Sequence, residues 1–197
     1  MTKILAISGS PRAGGNSDLL MERVLAGAAE QGVEGEAVYL RDLDFKGCIG
    51  CEGCRTAKAC VGLVDDMQRL YPKIEAARGL VLFSPTHFYT VSSLMKCFID
   101  RLYCYFDFTE PRPGPWESRL GGAGRVAVIG GVCEQPNTVD MDCTIQVMQL
   151  SLDSLGYKLL GKMAVPGTYA RGKVAHKPDA LEEALTLGRR LGRALAK

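Results

Sequence analysis

The segment Lys3-Ile-Leu-Ala-Ile-Ser8 is followed directly by Gly9-Ser-Pro-Arg-Ala-Gly-Gly-Asn-Ser17. The first part is a mostly apolar run of strand length, and the second is a loop of small residues that ends in helix-capping residues. We therefore predict a buried strand, a loop, and a helix that begins at Asn16 or Ser17 with a polar N-cap. A strand that enters a helix through such a loop is typical of the first unit of an open parallel sheet.

Apolar runs alternate with segments of helical periodicity along the rest of the chain. This alternation predicts an α/β fold, a doubly wound five-stranded parallel sheet with helices on both faces. The size favours the flavodoxin-like strand order 2-1-3-4-5. We expect one domain over residues 1–197, with a cysteine-rich loop at 44–64 inserted after strand two. The predicted strands are 3–8, 36–40, 80–84, 125–130 and one within 157–165, and residues 109–124 are expected to form a loop.

The loop after the first strand has the features of an anion site. Its small residues let backbone N–H groups approach a phosphate, and the helix dipole favours negative charge there. Ser8, Ser10, Asn16 and Ser17 offer further donors, and Arg12 offers charge. No Gly-Lys-Ser/Thr ending is present, which excludes a nucleoside-triphosphate P-loop, and the missing G-x-G-x-x-G weakens a dinucleotide assignment. The alternative is an ordinary strand-to-helix turn capped by Asn16.

Four cysteines, Cys48, Cys51, Cys54 and Cys60, follow the pattern C-x2-C-x2-C-x5-C. Thiolates at this spacing can surround one compact multi-atom centre, as in a [4Fe–4S] cluster. A structural zinc site usually takes two C-x2-C pairs separated by a longer linker, but zinc and metal-free thiols remain alternatives. Because this loop follows strand two, we expect it to open on the same sheet edge as the phosphate loop.

The composition narrows the function classes. A net charge of +2 gives no nucleic-acid signal. No run reaches the roughly 18 apolar residues that cross a bilayer, and the first residues lack a signal-peptide pattern. We therefore expect a cytoplasmic protein with no membrane partner. Eight cysteines in such a chain favour reduced thiols or metal ligation over disulfides.

Three segments resemble one family, the flavodoxin-like NAD(P)H-dependent FMN reductases. Residues 8–17 resemble its FMN-phosphate loop, G-S-x-R-x-x-x-N-S/T. Residues 84–88, Ser-Pro-Thr-His-Phe, resemble its flavin-ring loop, and residues 96–101, Lys-Cys-Phe-Ile-Asp-Arg, resemble a helix start of the family. Together with the cysteine spacing, these motifs make the chain most similar to the iron–sulfur flavoprotein branch.

The resemblance implies FMN as the cofactor, a [4Fe–4S] cluster near a subunit contact, and a homodimer or dimer of dimers. It also implies NAD(P)H as an electron donor, a ferredoxin-type carrier and a small-molecule acceptor. The flavin would carry the chemistry, so no catalytic side chain is required. His87 and Tyr89 depart from the family pattern, which would change ring stacking or access. The implied cofactor-binding residues are Ser8, Ser10, Pro11, Arg12, Asn16, Ser17, Ser84, Pro85, Thr86, His87, Phe88, Tyr89, Gly130 and Gly131, and the implied metal ligands are Cys48, Cys51, Cys54 and Cys60.

Three functions fit this sequence. The first is an FMN-dependent oxidoreductase that passes electrons between a [4Fe–4S] cluster and FMN. The second is a cluster-free NAD(P)H-dependent FMN or quinone reductase. The third is a flavin-binding module whose cysteine loop holds zinc or senses thiol oxidation.

Overall fold

The computed structural model describes residues 3–196. Its main sheet has the strand order β2-β1-β3-β7-β8, and all four neighbouring pairs are parallel. This arrangement confirms the predicted five-stranded parallel sheet of order 2-1-3-4-5. The strands are β1 (Ile4–Ser8), β2 (Gly35–Tyr39), β3 (Gly79–His87), β4 (Thr90–Val91), β5 (Phe106–Phe108), β6 (Trp116–Ser118), β7 (Val126–Val132) and β8 (Lys158–Val165), and the helices are α1 (Asn16–Ala29), α2 (Cys54–Ala57), α3 (Met67–Ala76), α4 (Ser93–Arg101), α5 (Asp142–Ser154) and α6 (Pro178–Leu195).

Both faces of the sheet are covered by helices. Alternate residues of a strand point to opposite faces, so Leu5 and Ile7 of β1 enter one apolar core while Ile4 and Ala6 enter the other. The first core also contains apolar residues of α3, α4 and α5, and the second contains those of α1 and α6. Every residue of β1 is buried, which is typical of a central strand in a doubly wound sheet.

Helix α6 supports α1 by unusually close packing. A Cβ atom added at Gly27 would overlap the carbonyl oxygen of Leu185, and one added at Gly188 would overlap that of Val24. Only glycine therefore allows the two backbones to approach this closely. The contact fixes α1, and with it the helix N-terminus that follows the phosphate loop.

The segment predicted as a flavin-ring loop is mostly strand. β3 extends to His87 because Ser84 and Pro85 continue the ladder with β7, and the chain then turns back through Phe88 and Tyr89 into β4. Both turn residues have positive φ, 48° and 70°. Such a two-residue turn normally takes Asn-Gly, so the usual sequence signal is missing and the hairpin was not predicted.

Two smaller expectations also change. The N-cap of α1 is Gly15, which has no side chain to bond the first N–H groups of the helix. We expected a polar N-cap there. The predicted loop 109–124 contains β6, which pairs with β5 in a separate two-stranded antiparallel sheet. These strands have three residues each, too few to show a period of two in the sequence. No helix within residues 3–196 is long and apolar enough to cross a membrane.

Candidate functional site

Two cavities are lined by residues of the predicted cofactor and metal sites. The first, which we call the cradle, has a volume of about 360 Å³ and lies at the N-terminus of α1. That volume is in the range of small-molecule pockets. The cradle is lined by Ser10, Pro11, Arg12, Gly15, Asn16, Ser17, Pro85, Thr86, His87, Phe88, Val132, Cys133, Glu134, Thr168, Tyr169 and Arg171.

Short hydrogen bonds give the cradle loop its shape. The Ser8 hydroxyl donates to Asp18 Oδ1 at 2.5 Å and accepts from the Ser10 N–H at 3.2 Å. The Ser10 hydroxyl donates to the Arg12 carbonyl at 3.0 Å. A Cβ at Gly15 would lie 2.8 Å from Ser10 Oγ, so glycine is required there. Ser8 is fully buried and does not line the cradle. It stabilises the loop through its hydrogen bonds to Asp18 and Ser10.

A buried carboxylate in the first turn of α1 has its own counter-charge. Asp18 is fully buried, and Arg41 Nη1 lies 2.9 Å from its Oδ2. Arg41 also donates to the Ser10 carbonyl at 3.3 Å and stacks over the Tyr39 ring at 4.5 Å. Because the positive charge of Arg41 offsets the negative charge of Asp18, the N-terminus of α1 still attracts an anion.

Asn16 and Ser17 have different roles in the cradle. Asn16 Nδ2 donates to the Ala170 carbonyl at 3.0 Å, and its Oδ1 accepts from the Val174 N–H at 3.0 Å. These two hydrogen bonds tether the segment after β8, so the Asn16 amide is not available to bind an anion. The Ser17 hydroxyl is buried and has no hydrogen-bond partner within residues 3–196. An unpartnered buried hydroxyl beside the free N–H groups of a helix N-terminus fits a phosphate oxygen.

The segment after β8 closes one side of the cradle, and the sequence did not predict this. Arg12 donates to the Tyr169 carbonyl at 3.1 Å and lies over the Tyr169 ring at 5.1 Å. Arg171 adds a second guanidinium to the lining. Because the segment lies about 155 residues from the cradle loop, only its position after a parallel strand could have indicated it.

The opposite side of the cradle contains only part of the predicted ring-binding set. Pro85, Thr86, His87 and Phe88 line it, and Phe88 is 96% exposed. Ser84 is buried and accepts from the Ser92 N–H at 3.0 Å. Ser84 and Tyr89 do not line the cradle.

The two predicted glycines also lie outside the cradle lining. A Cβ at Gly130 would overlap the Phe83 ring, and one at Gly131 would lie 2.9 Å from Met141 Cε. Their lack of a side chain serves core packing, and the structure gives them no contact with the cradle.

The second cavity, which we call the cysteine cavity, has a volume of about 530 Å³. Cys48, Cys51, Cys54 and Cys60 all line it, and all four are free thiols. A Cβ at Gly62 would overlap Cys51 Sγ, so glycine makes room for that thiol. Within residues 3–196, no three or more His, Cys, Asp or Glu side chains are arranged to hold a metal ion. The four thiols are thus brought to one cavity without forming a site for a single metal ion.

A fifth thiol lies close to the predicted ligands. Cys104 is buried after α4, and burial together with the charges of Cys60 and Cys54 raises its pKa to about 12. Burial and the neighbouring thiolates, Cys60 first, also raise the pKa of Cys54. Nothing in the cysteine spacing links Cys104 to the cysteine loop, so the sequence gives no signal for this neighbour.

The carboxylates of Asp65 and Asp66 hydrogen-bond the backbone at the start of the cysteine loop. The Asp44 and Lys46 N–H groups donate to Asp66 at 2.9 Å and Asp65 at 3.1 Å. Arg101 then donates to Asp65 Oδ2 at 2.6 Å and to the Lys46 carbonyl at 2.8 Å. Burial opposes it, but the hydrogen bonds from Arg101 and Lys46 lower the pKa of the Asp65 carboxyl. The loop therefore leaves and rejoins the fold at one ion-paired point.

Helix α4 connects the two cavities. Its N-cap, Ser92, donates to the Gly9 carbonyl of the cradle loop at 2.6 Å, and its last residues, 99–101, line the cysteine cavity. Nine helical residues span about 14 Å. The cysteine cavity also contacts the C-terminal part of α5 and shares no lining residue with the cradle. The thiols therefore lie against the helix-covered face, and our expectation that they would open on the cradle's sheet edge is wrong, because the loop folds down along α4.

Comparison with known proteins agrees with this architecture. The family described as NADPH-dependent FMN reductase matches residues 2–135. The chain belongs to this family. The match confirms the predicted membership of the FMN reductase family.

Curated relatives and solved structures add two further similarities. The chain is 39% identical over 99 residues to an iron–sulfur flavoprotein of Methanocaldococcus jannaschii, and 34% identical over 99 residues to one of Methanosarcina thermophila. Each match covers 50% of this chain and 51% of the relative, so the chain spans about half the length of these relatives. The fold resembles an FMN-dependent NADH-azoreductase of Bacillus anthracis, with a TM-score of 0.70, 16% identity, and coverage of 96% and 99% of the two chains.

The ion pair at the base of the cysteine loop should dominate its stability. We predict that Asp65→Asn lowers the free energy of unfolding by about 3–5 kcal/mol, because it leaves the buried Arg101 guanidinium unpaired. Asp100→Asn breaks an exposed pair with Lys96 on the same helix and should cost less than about 1 kcal/mol. Urea denaturation followed by circular dichroism measures both.

The Asp65–Arg101 pair also makes the free energy of unfolding depend on pH. Because the folded-state pKa of Asp65 is lowered, its stabilisation is present above the ordinary carboxyl pKa of about 4 and is lost as the pH falls through the folded-state value. Equal losses in Asp65→Asn and Asp100→Asn would contradict this assignment.

Proposed function

We propose that the protein is an FMN-dependent oxidoreductase in which Cys48, Cys51, Cys54 and Cys60 hold a [4Fe–4S] cluster that exchanges electrons with FMN. One observation carries the proposal: α4 joins a cavity lined by all four thiols to a cradle with an unpartnered buried hydroxyl, Ser17. When bound, FMN would take two electrons as hydride from NAD(P)H, and the cluster would pass them on singly.

The proposal assigns distinct tasks to the cradle residues. Ser17 and the first N–H groups of α1 would hold the FMN phosphate, and Arg12 would add charge. Thr86, His87 and Phe88 would contact the flavin ring. Asn16 would act by holding the segment of Tyr169 and Arg171 against the cradle. Ser8 and Ser84 would position the loop and hairpin without touching the cofactor.

The proposal also includes binding partners, the first of which is a second copy of the chain. Ile49, Val61 and Leu150 line the cysteine cavity with more than half of each side chain exposed. A second copy of the chain would cover this apolar rim and exclude water from the centre, which supports a dimer or a dimer of dimers. A ferredoxin-type carrier and a small-molecule acceptor would complete the electron path.

The phosphate assignment predicts a selective loss of affinity. Ser17→Ala should weaken FMN binding by about tenfold to a hundredfold, because a hydrogen bond to a charged phosphate contributes about 1.5–3 kcal/mol. Riboflavin, which lacks the phosphate, should bind the variant as it binds the wild type. Flavin fluorescence titration measures both ligands.

Ser93→Ala is the matched control, since Ser93 is exposed at the start of α4 and does not line the cradle. It should leave both affinities unchanged. Equal losses for FMN and riboflavin in Ser17→Ala, or no loss for either, would refute the role of Ser17.

The cysteine assignment predicts about four irons per chain in protein purified without oxygen, with broad absorbance beside the flavin bands. Cys51→Ala should lose iron but retain FMN, because the two cavities share no lining residue. Cys143→Ala, an exposed thiol outside the cysteine cavity, should keep both. Metal analysis and absorption spectra give the result.

Two other outcomes would select the alternative functions. Iron-free protein whose flavin is bleached by NAD(P)H equally in wild type and Cys51→Ala would be a cluster-free FMN or quinone reductase. Stoichiometric zinc without reductase activity toward any acceptor would indicate a flavin-binding module with a zinc or thiol-sensing loop.

A further inference from the structure

Arg101 is buried at the wall of the cysteine cavity. It is the last residue of α4, and its side chain is 1% exposed. A buried guanidinium is costly unless its charge and its N–H groups are satisfied. Asp65 supplies the counter-charge through two hydrogen bonds, at 2.6 and 3.1 Å, and the Lys46 carbonyl accepts a third at 2.8 Å.

One donor of this side chain is left over. Arg101 Nε is buried and has no hydrogen-bond partner within residues 3–196. A buried donor without an acceptor destabilises the folded protein, because it has lost its hydrogen bond to water and gained none in return. The contacts of the two Nη atoms fix the guanidinium, so Nε cannot turn to find an acceptor elsewhere.

The groups that face Arg101 show where its acceptor lies. Tyr71 and Cys104 both donate to the Arg101 carbonyl, at 3.3 and 3.4 Å. Burial acts to lower the pKa of Arg101, but the Asp65 hydrogen bond and then the nearby Tyr71 hydroxyl raise it, although Nε makes no hydrogen bond to Tyr71. Asp65 is already used by the two Nη atoms. Arg101 lines the cysteine cavity together with Cys54 and Cys60, so a group bound in that cavity can supply an acceptor for Nε.

We propose that Arg101 is a positioning and tuning residue whose Nε–H donates a hydrogen bond to the sulfur shell of the cysteine-bound centre. This inference rests on the proposed function, because it requires the cluster. A donor to sulfur stabilises the more negative, reduced form, so the hydrogen bond raises the reduction potential. The Asp65 pair holds the guanidinium at the wall of the cavity.

The test is a redox titration of the anaerobic, cluster-loaded protein. Arg101→Lys keeps a positive charge next to Asp65 but lacks the Nε–H group. We expect its cluster potential to shift to a more negative value than that of the wild type, with iron content, FMN content and flavin potential unchanged. Lys96→Gln removes an exposed cation from the same helix and should leave the cluster potential at the wild-type value.

A loaded Arg101→Lys protein with the wild-type cluster potential would overturn the inference and leave the proposed function standing. Iron-free wild-type protein would overturn both.

A second measurement needs no variant, which matters if Arg101→Lys does not fold. Wild-type protein labelled with ¹⁵N only at arginine Nε should show a ¹⁵N coupling in pulsed electron paramagnetic resonance of the reduced cluster. The absence of that coupling would overturn the inference.

Discussion

The hydrogen bonds at the two ends of α4 fix the relation between the two cavities. At its start, the Ser92 hydroxyl holds the Gly9 carbonyl of the cradle loop and also caps the helix through the Met95 N–H. At its end, Arg101 holds Asp65 and the Lys46 carbonyl at the base of the cysteine loop. These bonds join the cradle loop and the base of the cysteine loop to the same short helix.

The cradle shows how a parallel sheet assembles a site from distant segments. The loop after β1 provides the helix N-terminus, the end of β3 provides one wall, and the segment after β8 closes the other through Asn16 and Arg12. The Phe88–Tyr89 turn at the rim has positive φ at two bulky residues. Backbone strain of this kind is typical of functional sites, where surrounding structure holds it in place. The ladder between β3 and β7 supplies that support up to Pro85.

The local parts of the structure could be predicted from the sequence, and the distant contacts could not. The β1–loop–α1 unit and the four-cysteine loop are contiguous, so periodicity and spacing alone indicated them. The tether from Asn16 to Ala170 and the pair between Arg101 and Asp65 join residues 154 and 36 positions apart, and no pattern within one segment reveals them. Residue type also could not show how Ser8, Gly130 and Gly131 pack. Ser8 is buried, and Phe83 and Met141 lie against the two glycines, while the contact of these three residues with the cofactor stays a prediction.

The central claim is that the FMN cradle and the cysteine cavity are close enough to exchange electrons, within one chain or between neighbouring copies. A crystal structure of the anaerobic protein loaded with FMN and iron measures that distance directly. We predict a [4Fe–4S] cluster on Cys48, Cys51, Cys54 and Cys60 within one α4 length, about 14 Å, of a flavin ring. A cluster farther than this from every flavin in the assembly, or four cysteines that hold no iron, would contradict the account.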